Sequence, residues 1–284
     1  MGDLILSDRQ SADEELRQIG VDLGFGPVAM EDGRYITLRG INHPEYITQW
    51  TVLVSYEPAA KKRIQMPPAA KQHFPKWAAK RQSGADCEII LYGDSISYGC
   101  DCSGLYHLPP DQPEWGELVR MYLEQCGGNV SLHNVSMPSA DTEWAIEHCE
   151  ERLQSDWQPD LVILGFGMND RCEAEEYADR TKRLIQKVRG KYPDTEILLI
   201  ATTLPNALVP TPPIYFCAKQ HSFPTVLHSM EGEGVGVVDV QFVQTQLMQQ
   251  KTYLDLTGNF LNHPNDYLAR IQAQTVIYAL GEER

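Results

Sequence analysis

From residue 86 onward, five short apolar runs, at 87–91, 130–135, 161–166, 197–201 and 235–240, alternate with stretches of helical period. Each run is too short for a buried helix and ends in turn-forming residues, so each reads as a buried strand. Between them, Trp115, Leu118, Val119, Tyr122, Leu123 and Cys126 recur at helical spacing, as do Tyr177, Thr181, Leu184, Ile185 and Val188. Strands alternating with amphipathic helices commit a chain to a parallel sheet covered on both faces, with right-handed crossovers.

Five such strands predict an α/β fold, a flavodoxin-like three-layer α/β/α sandwich over residues 85–284. Ahead of it the pattern differs. Residues 34–39 and 50–56 are rich in β-branched and aromatic side chains, with turn signals at Asp32-Gly33, Gly40 and Pro44, so residues 1–65 read as a small β-rich subdomain. Residues 66–84 place Pro67, Pro68 and Pro75 among lysines and arginines, the composition of a linker or of a segment wrapped over the next domain.

Composition narrows the partners. With 24 basic against 39 acidic residues the formal charge is −15, which disfavours nucleic acid and anionic membrane surfaces. The amino-terminal residues carry acids where a secretion signal needs bases, and no run approaches a membrane span, so the expected location is cytoplasmic. Seven cysteines, an odd number spread through apparent core and loops, suit reduced thiols better than a disulfide framework. Cys100, Cys102 and nearby His107 lack zinc-site spacing and an obvious fourth ligand, so no metal is expected. Oligomeric state is left open.

The first strand stops at Gly93-Asp94-Ser95-Ile96-Ser97, placing Ser95 just past its carboxyl end, where open α/β sheets bind ligands. Taken alone, Ser95 would read as a helix N-cap. Three further stretches change that: Asn134-Val135-Ser136-Met137-Pro138-Ser139-Ala140-Asp141-Thr142, Gly165-Phe166-Gly167-Met168-Asn169-Asp170, and Asn262-His263-Pro264-Asn265-Asp266. Together with the first they resemble, in order, the four blocks of the SGNH/GDSL hydrolase family. The resemblance implies acyl-ester hydrolysis by a serine enzyme without a cofactor, with Ser95 as nucleophile and the Asn169 amide in the oxyanion hole. It also implies a backbone donor from the second block, where alanine or serine stands in place of the family's glycine.

The chemistry of the side chains agrees. A serine hydroxyl needs an adjacent base at neutral pH, and histidine suits the task. Of eight histidines, His263 is best placed, in a loop leading into a helix whose core face carries Leu268, Ile271, Thr275 and Tyr278. A second Asn-His-Pro, at Asn42-His43-Pro44, leads into strand-like sequence and reads as coincidence. Candidate oxyanion donors are the Ser95 N–H, the Ala140 N–H, with Ser139 as the alternative by register, and the Asn169 amide. Asp94 is expected to hold the nucleophile loop, and Asp170 to cap the helix that begins near Glu173.

The family usually sets an aspartate three residues before its histidine, and this chain has Phe260 there. The expectation is therefore a Ser95–His263 dyad oriented by a backbone carbonyl, with Asp255 as the alternative third member and Asn259 and Asn262 as further possibilities. Two long connections, 100–113 and 204–224, follow strand ends, and Tyr106, Tyr215 and Phe216 are the expected pocket walls. A β-rich module followed by such a hydrolase also resembles some carbohydrate esterases. That makes an acetylated saccharide the first choice among small acyl-ester substrates, with a lysophospholipase or thioesterase as the alternative. Two other classes remain: a binding module that keeps the scaffold without turnover, and a nucleotide- or flavin-binding protein, the latter disfavoured by the lack of a phosphate-cradling glycine loop.

Overall fold

The computed structural model describes residues 28–29, 35–36, 64–207 and 219–282. The expected strand at 50–56, the second Asn-His-Pro at Asn42, and the expected pocket walls Tyr215 and Phe216 lie outside them. Ahead of residue 64, β1 (Val28–Ala29) and β2 (Tyr35–Ile36) pair antiparallel.

The remainder is the α/β sandwich that the alternation predicts. Five strands, β3 (Cys87–Gly93), β4 (Val130–Asn134), β5 (Leu161–Gly165), β6 (Glu196–Ala201) and β7 (Val235–Asp239), lie parallel in the order β4-β3-β5-β6-β7. Their bounds fall within one or two residues of the apolar runs. The period of two divides the core: Ile89, Leu91, Leu161, Ile163, Leu198 and Ile200 face one way, and Ile90, Tyr92, Val162, Leu164, Ile197 and Leu199 the other. Because both faces are covered, the strands read as continuous apolar runs rather than alternating ones.

On the first face lie α1 (Pro75–Gln82), α3 (Trp115–Cys126) and α8 (Asp266–Leu280), contributing Trp77, Trp115, Leu123 and Val276. On the second lie α4 (Thr142–Arg152), α5 (Ala174–Lys191) and α6 (Phe223–His228), contributing Ile146, Leu184 and Phe223. A further helix, α7 (Val240–Leu247), packs Val243 and Leu247 against Leu256 and Leu268.

Residues 66–84 contain α1, and Phe74 and Trp77 are fully enclosed in the core, so the segment is wrapped onto the sheet. The Glu196 carboxylate anchors it, accepting the Lys76 N–H at 3.1 Å and the Trp77 N–H at 2.7 Å and so satisfying two unpaired donors of the helix start. No helix among the described residues is long and apolar enough to cross a membrane.

At the carboxyl edge, Gly93 and Gly165 sit opposite each other in register. A Cβ on either would come within 2.4 Å of the Ser97 hydroxyl. Their missing side chains let the short helix α2 (Ser95–Tyr98) drop onto the ends of β3 and β5, which fixes the height of Ser95 above the sheet.

Candidate active site

Ser95 opens α2, and Asp94 is its N-cap, with one carboxylate oxygen accepting the Ile96 N–H at 2.9 Å. Asp94 is 1% exposed, so it holds the loop from beneath and offers no surface to a ligand. Burial pushes its carboxyl up to about 7, opposed by the Ile96 N–H and by the nearby His263. The Ser95 N–H, at the first helical position, precedes the helix's own hydrogen-bond ladder.

Helix α2 lasts one turn and ends at Gly99, left-handed at φ 97°, where the Gly99 and Cys100 N–H groups both return to the Ser95 carbonyl. The reversal brings up Asp101, itself left-handed at φ 67°. From the other end of the chain, a loop ahead of α8 delivers His263. Its Nε2 lies 2.9 Å from the Ser95 hydroxyl and its Nδ1 lies 2.6 Å from the Asp101 carboxylate. The approach of the two loops is possible because residue 258 is glycine: a Cβ there would lie 2.5 Å from the Asp101 Cβ.

Hydroxyl, imidazole and carboxylate thus form one continuous series. With Nδ1–H held by a carboxylate, Nε2 presents its lone pair to the serine, so the ring can take the hydroxyl proton and bear the resulting charge.

Several expected residues fall elsewhere. The carboxylate of Asp255 accepts the Thr252 N–H at 2.7 Å and the Thr252 hydroxyl at 2.9 Å, closing a capping box on an exposed turn. It does not meet His263, and neither does a backbone carbonyl, because Asp101 occupies Nδ1. Phe260 is exposed, and its carbonyl accepts the Asn206 amide at 2.7 Å. Asn259 and Asn262 pair with each other beneath the loop, their side chains 3.1 Å apart.

The second block also differs from its expectation. The left-handed residue is Ser139, at φ 66°, one position before Ala140. The Ala140 N–H turns inward to the Met137 carbonyl at 3.2 Å, while the Ala140 carbonyl accepts the Asn169 amide at 2.9 Å. One amide hydrogen of Asn169 therefore fixes the two blocks together and the other remains to donate.

Asp170 lies beneath the site and accepts the N–H and hydroxyl of Thr142, the latter in a short contact, and Arg180 stands 3.8 Å away. It ties the start of α4 to the end of β5 instead of capping the helix that follows. Burial raises its carboxyl to about 6, opposed chiefly by the Thr142 bonds. Tyr106 is half-buried against the Asp101 segment, and its phenol is pushed up first by burial and then by the Asp101 charge. Cys100 and Cys102 are buried, with the Cys100 thiol pushed up to about 12 by burial, whereas His107 is exposed and pairs with Asp111. These three do not form a ligand set.

Beside Ser139 and Asn169 opens a cavity of about 370 Å3, lined also by Asp141, Arg171, Cys172, Glu176 and Arg180. Its wall is polar and carries both signs of charge.

A serine hydroxyl and an imidazole in hydrogen-bond contact on the carboxyl edge of a parallel sheet are an arrangement able to cleave esters, and the family match is consistent with it. The profile of the GDSL-like lipase/acylhydrolase family matches residues 91–271, and the chain belongs to that family.

A sequence search of curated proteins returned no match. Among solved structures, a two-domain esterase active on acetylated mannans aligns with a TM-score of 0.60 at 18% identity, covering 75% of this chain and 54% of that one. The chain thus spans about half the length of that esterase. A variant of an acetyl-xylooligosaccharide esterase from Geobacillus Stearmophilus aligns at 0.53 and 16% identity, covering 69% and 94%. The acetyl xylan esterase AlAXEase aligns at 0.52 and 17%, covering 68% and 98%. At these identities the likeness is one of fold.

Proposed function

We propose that this protein removes a short acyl group, acetyl first, from a hydroxylated alcohol such as a saccharide, with Ser95, His263 and Asp101 as its catalytic series. The observation that carries the reading is the unbroken line of hydrogen bonds, 2.9 Å from serine to imidazole and 2.6 Å from imidazole to carboxylate.

In this mechanism the Ser95 oxygen forms a bond to the ester carbonyl carbon while its proton passes to His263 Nε2. The tetrahedral oxyanion takes hydrogen bonds from the Ser95 N–H and the second Asn169 amide hydrogen. The Ser139 N–H is the third donor, because that of Ala140 is spent on Met137. Collapse breaks the bond to the alcohol oxygen, which leaves with the Nε2 proton. Water then attacks the acyl-serine, Nε2 accepts its proton, and the acid departs as Ser95 regains a hydrogen.

The polar cavity beside Ser139 and Asn169 supports a hydroxylated leaving group over a lysophospholipid or acyl thioester, whose long chain would find no apolar wall there. Its lining, two arginines against two acids, suits a neutral polyol, and the negative charge of the chain disfavours a polyanion. The neighbours active on acetylated mannans and xylo-oligosaccharides lend the same direction. The alternative of a binding module without turnover rests on the missing acid before His263 and the replaced glycine of the second block; the Asp101 carboxylate on Nδ1 supports turnover instead.

The test is hydrolysis of p-nitrophenyl esters from acetate to octanoate by the wild type, Ser95→Ala and His263→Ala. Preference for acetate with both variants inactive is expected. Equal activity on octanoate would overturn the short-acyl reading, and an active Ser95→Ala would overturn the nucleophile.

A further inference from the structure

The loop that carries His263 is wound around one side chain. Asn259 is 6% exposed. Its amide oxygen accepts the N–H groups of Leu261 at 2.9 Å, Asn262 at 3.0 Å and His263 at 3.1 Å, and the Thr257 hydroxyl at 3.3 Å. Its amide nitrogen donates to the Asn262 side chain at 3.1 Å.

Three successive backbone donors on one acceptor draw residues 260–263 into a tight coil. Phe260 takes φ 63° to permit it, a left-handed conformation that a bulky side chain disfavours. The carbonyl of His263 is held as well, by the Gly258 N–H at 2.9 Å and the Thr257 hydroxyl at 2.8 Å, whose one hydrogen it shares with the Asn259 oxygen. Both peptide groups of the histidine are therefore fixed before its ring makes any contact. The imidazole swings from a stationary point, and its two nitrogens fall within reach of Ser95 and Asp101 together.

Of the Asn259 contacts, four run to the oxygen and one from the nitrogen, so the acceptor is the working part.

We propose that Asn259 is a positioning residue for the reaction, acting through the His263 backbone to set the Nε2–Ser95 distance; this rests on the reading of His263 as the base. Misplacing a reacting group by about 1 Å can cost roughly 100-fold in rate. Asn259→Ala should lower kcat on p-nitrophenyl acetate about 10- to 100-fold with KM within about threefold of wild type, because the substrate's own contacts are untouched. Asn259→Asp keeps the acceptor oxygen and should recover most of that loss, whereas Asn259→Gln, whose oxygen is displaced by one methylene, should not.

Rates are compared per folded molecule, counted by near-ultraviolet circular dichroism below the melting transition. A kcat for Asn259→Ala within twofold of wild type overturns the proposal, as does an equal loss in Ala and Asp variants. Should Asn259→Ala not fold, a wild-type kcat in Asn259→Gln overturns it. A fully active His263→Ala would overturn the base assignment and this role with it, whereas a dead His263→Ala beside an unimpaired Asn259→Ala overturns the positioning role alone.

Discussion

Replacing Asp101 by asparagine keeps the size of the side chain and removes its charge beside the imidazole that the proposed mechanism protonates. The Asp101 and His263 side chains are 9% and 12% exposed and meet at 2.6 Å. As the Ser95 proton reaches Nε2, a full positive charge forms against that carboxylate. With charge centres about 4 Å apart and an effective dielectric near 20, the attraction is on the order of 4 kcal/mol. At about 1.4 kcal/mol per factor of ten, its loss predicts a fall in kcat of roughly 1,000-fold. KM should stay within about threefold, because the interaction strengthens in the transition state and not on binding.

The assay is steady-state hydrolysis of p-nitrophenyl acetate at pH 7.5, with Asp255→Asn as the paired control. Asp255 caps an exposed turn, so its variant should keep kcat within about twofold and lose only about 1 kcal/mol of stability. A kcat for Asp101→Asn within tenfold of wild type, or a loss in Asp255→Asn as large as that in Asp101→Asn, would refute the reasoning.

Three further outcomes follow from features already described. Asp94 binds its proton up to about pH 7 when folded and near 4 when unfolded, so it contributes stability at low pH that is lost as pH rises through 7. Urea titrations should show the wild type losing on the order of 3 kcal/mol more than Asp94→Asn between pH 5 and 8, and parallel curves would contradict this. Gly258→Ala forces a Cβ to within 2.5 Å of Asp101, so a loss of about 1–3 kcal/mol in thermal unfolding and a lowered kcat are expected. Arg171→Ala alters the polar cavity and should reduce kcat/KM several-fold on an acetylated xylo-oligosaccharide while sparing p-nitrophenyl acetate. Equal effects on both substrates would detach the cavity from alcohol recognition.

The sheet was legible because its signal is local: a fully covered strand such as Ile89-Ile90-Leu91 must be apolar at every position, and a run of that kind needs no knowledge of its neighbours. Ser95, Asn169 and His263 were legible because turn chemistry and order along the chain mark strand ends and helix starts. Asp101 was not, because it lies 162 residues from His263, on the segment that carries Ser95. The available signal was an acid two residues beyond the glycine that ends α2, where a left-handed reversal aims the chain back over the nucleophile.

Trp77 was missed for a related reason. Three prolines among scattered lysines concealed a helix whose amino end is fixed by Glu196, about 120 residues away. Hydrogen bonds of that span leave no period in the sequence. The left-handed residue of the second block is set locally: the Ala140 N–H closes a four-residue turn on the Met137 carbonyl, with Pro138 second and Ser139, at φ 66°, third.

Ser95 and Asp101 travel on a single tight bend, while their common partner His263 arrives 168 and 162 residues later. In assembly terms the machinery has two pieces, not three, and only one joint between them. That joint is closed by the last helix: at its start the Asp266 carboxylate accepts the Ser103 N–H at 2.8 Å and the Asp266 carbonyl accepts the Gln112 amide at 2.7 Å, so the seating of α8 and the completion of the site are one event.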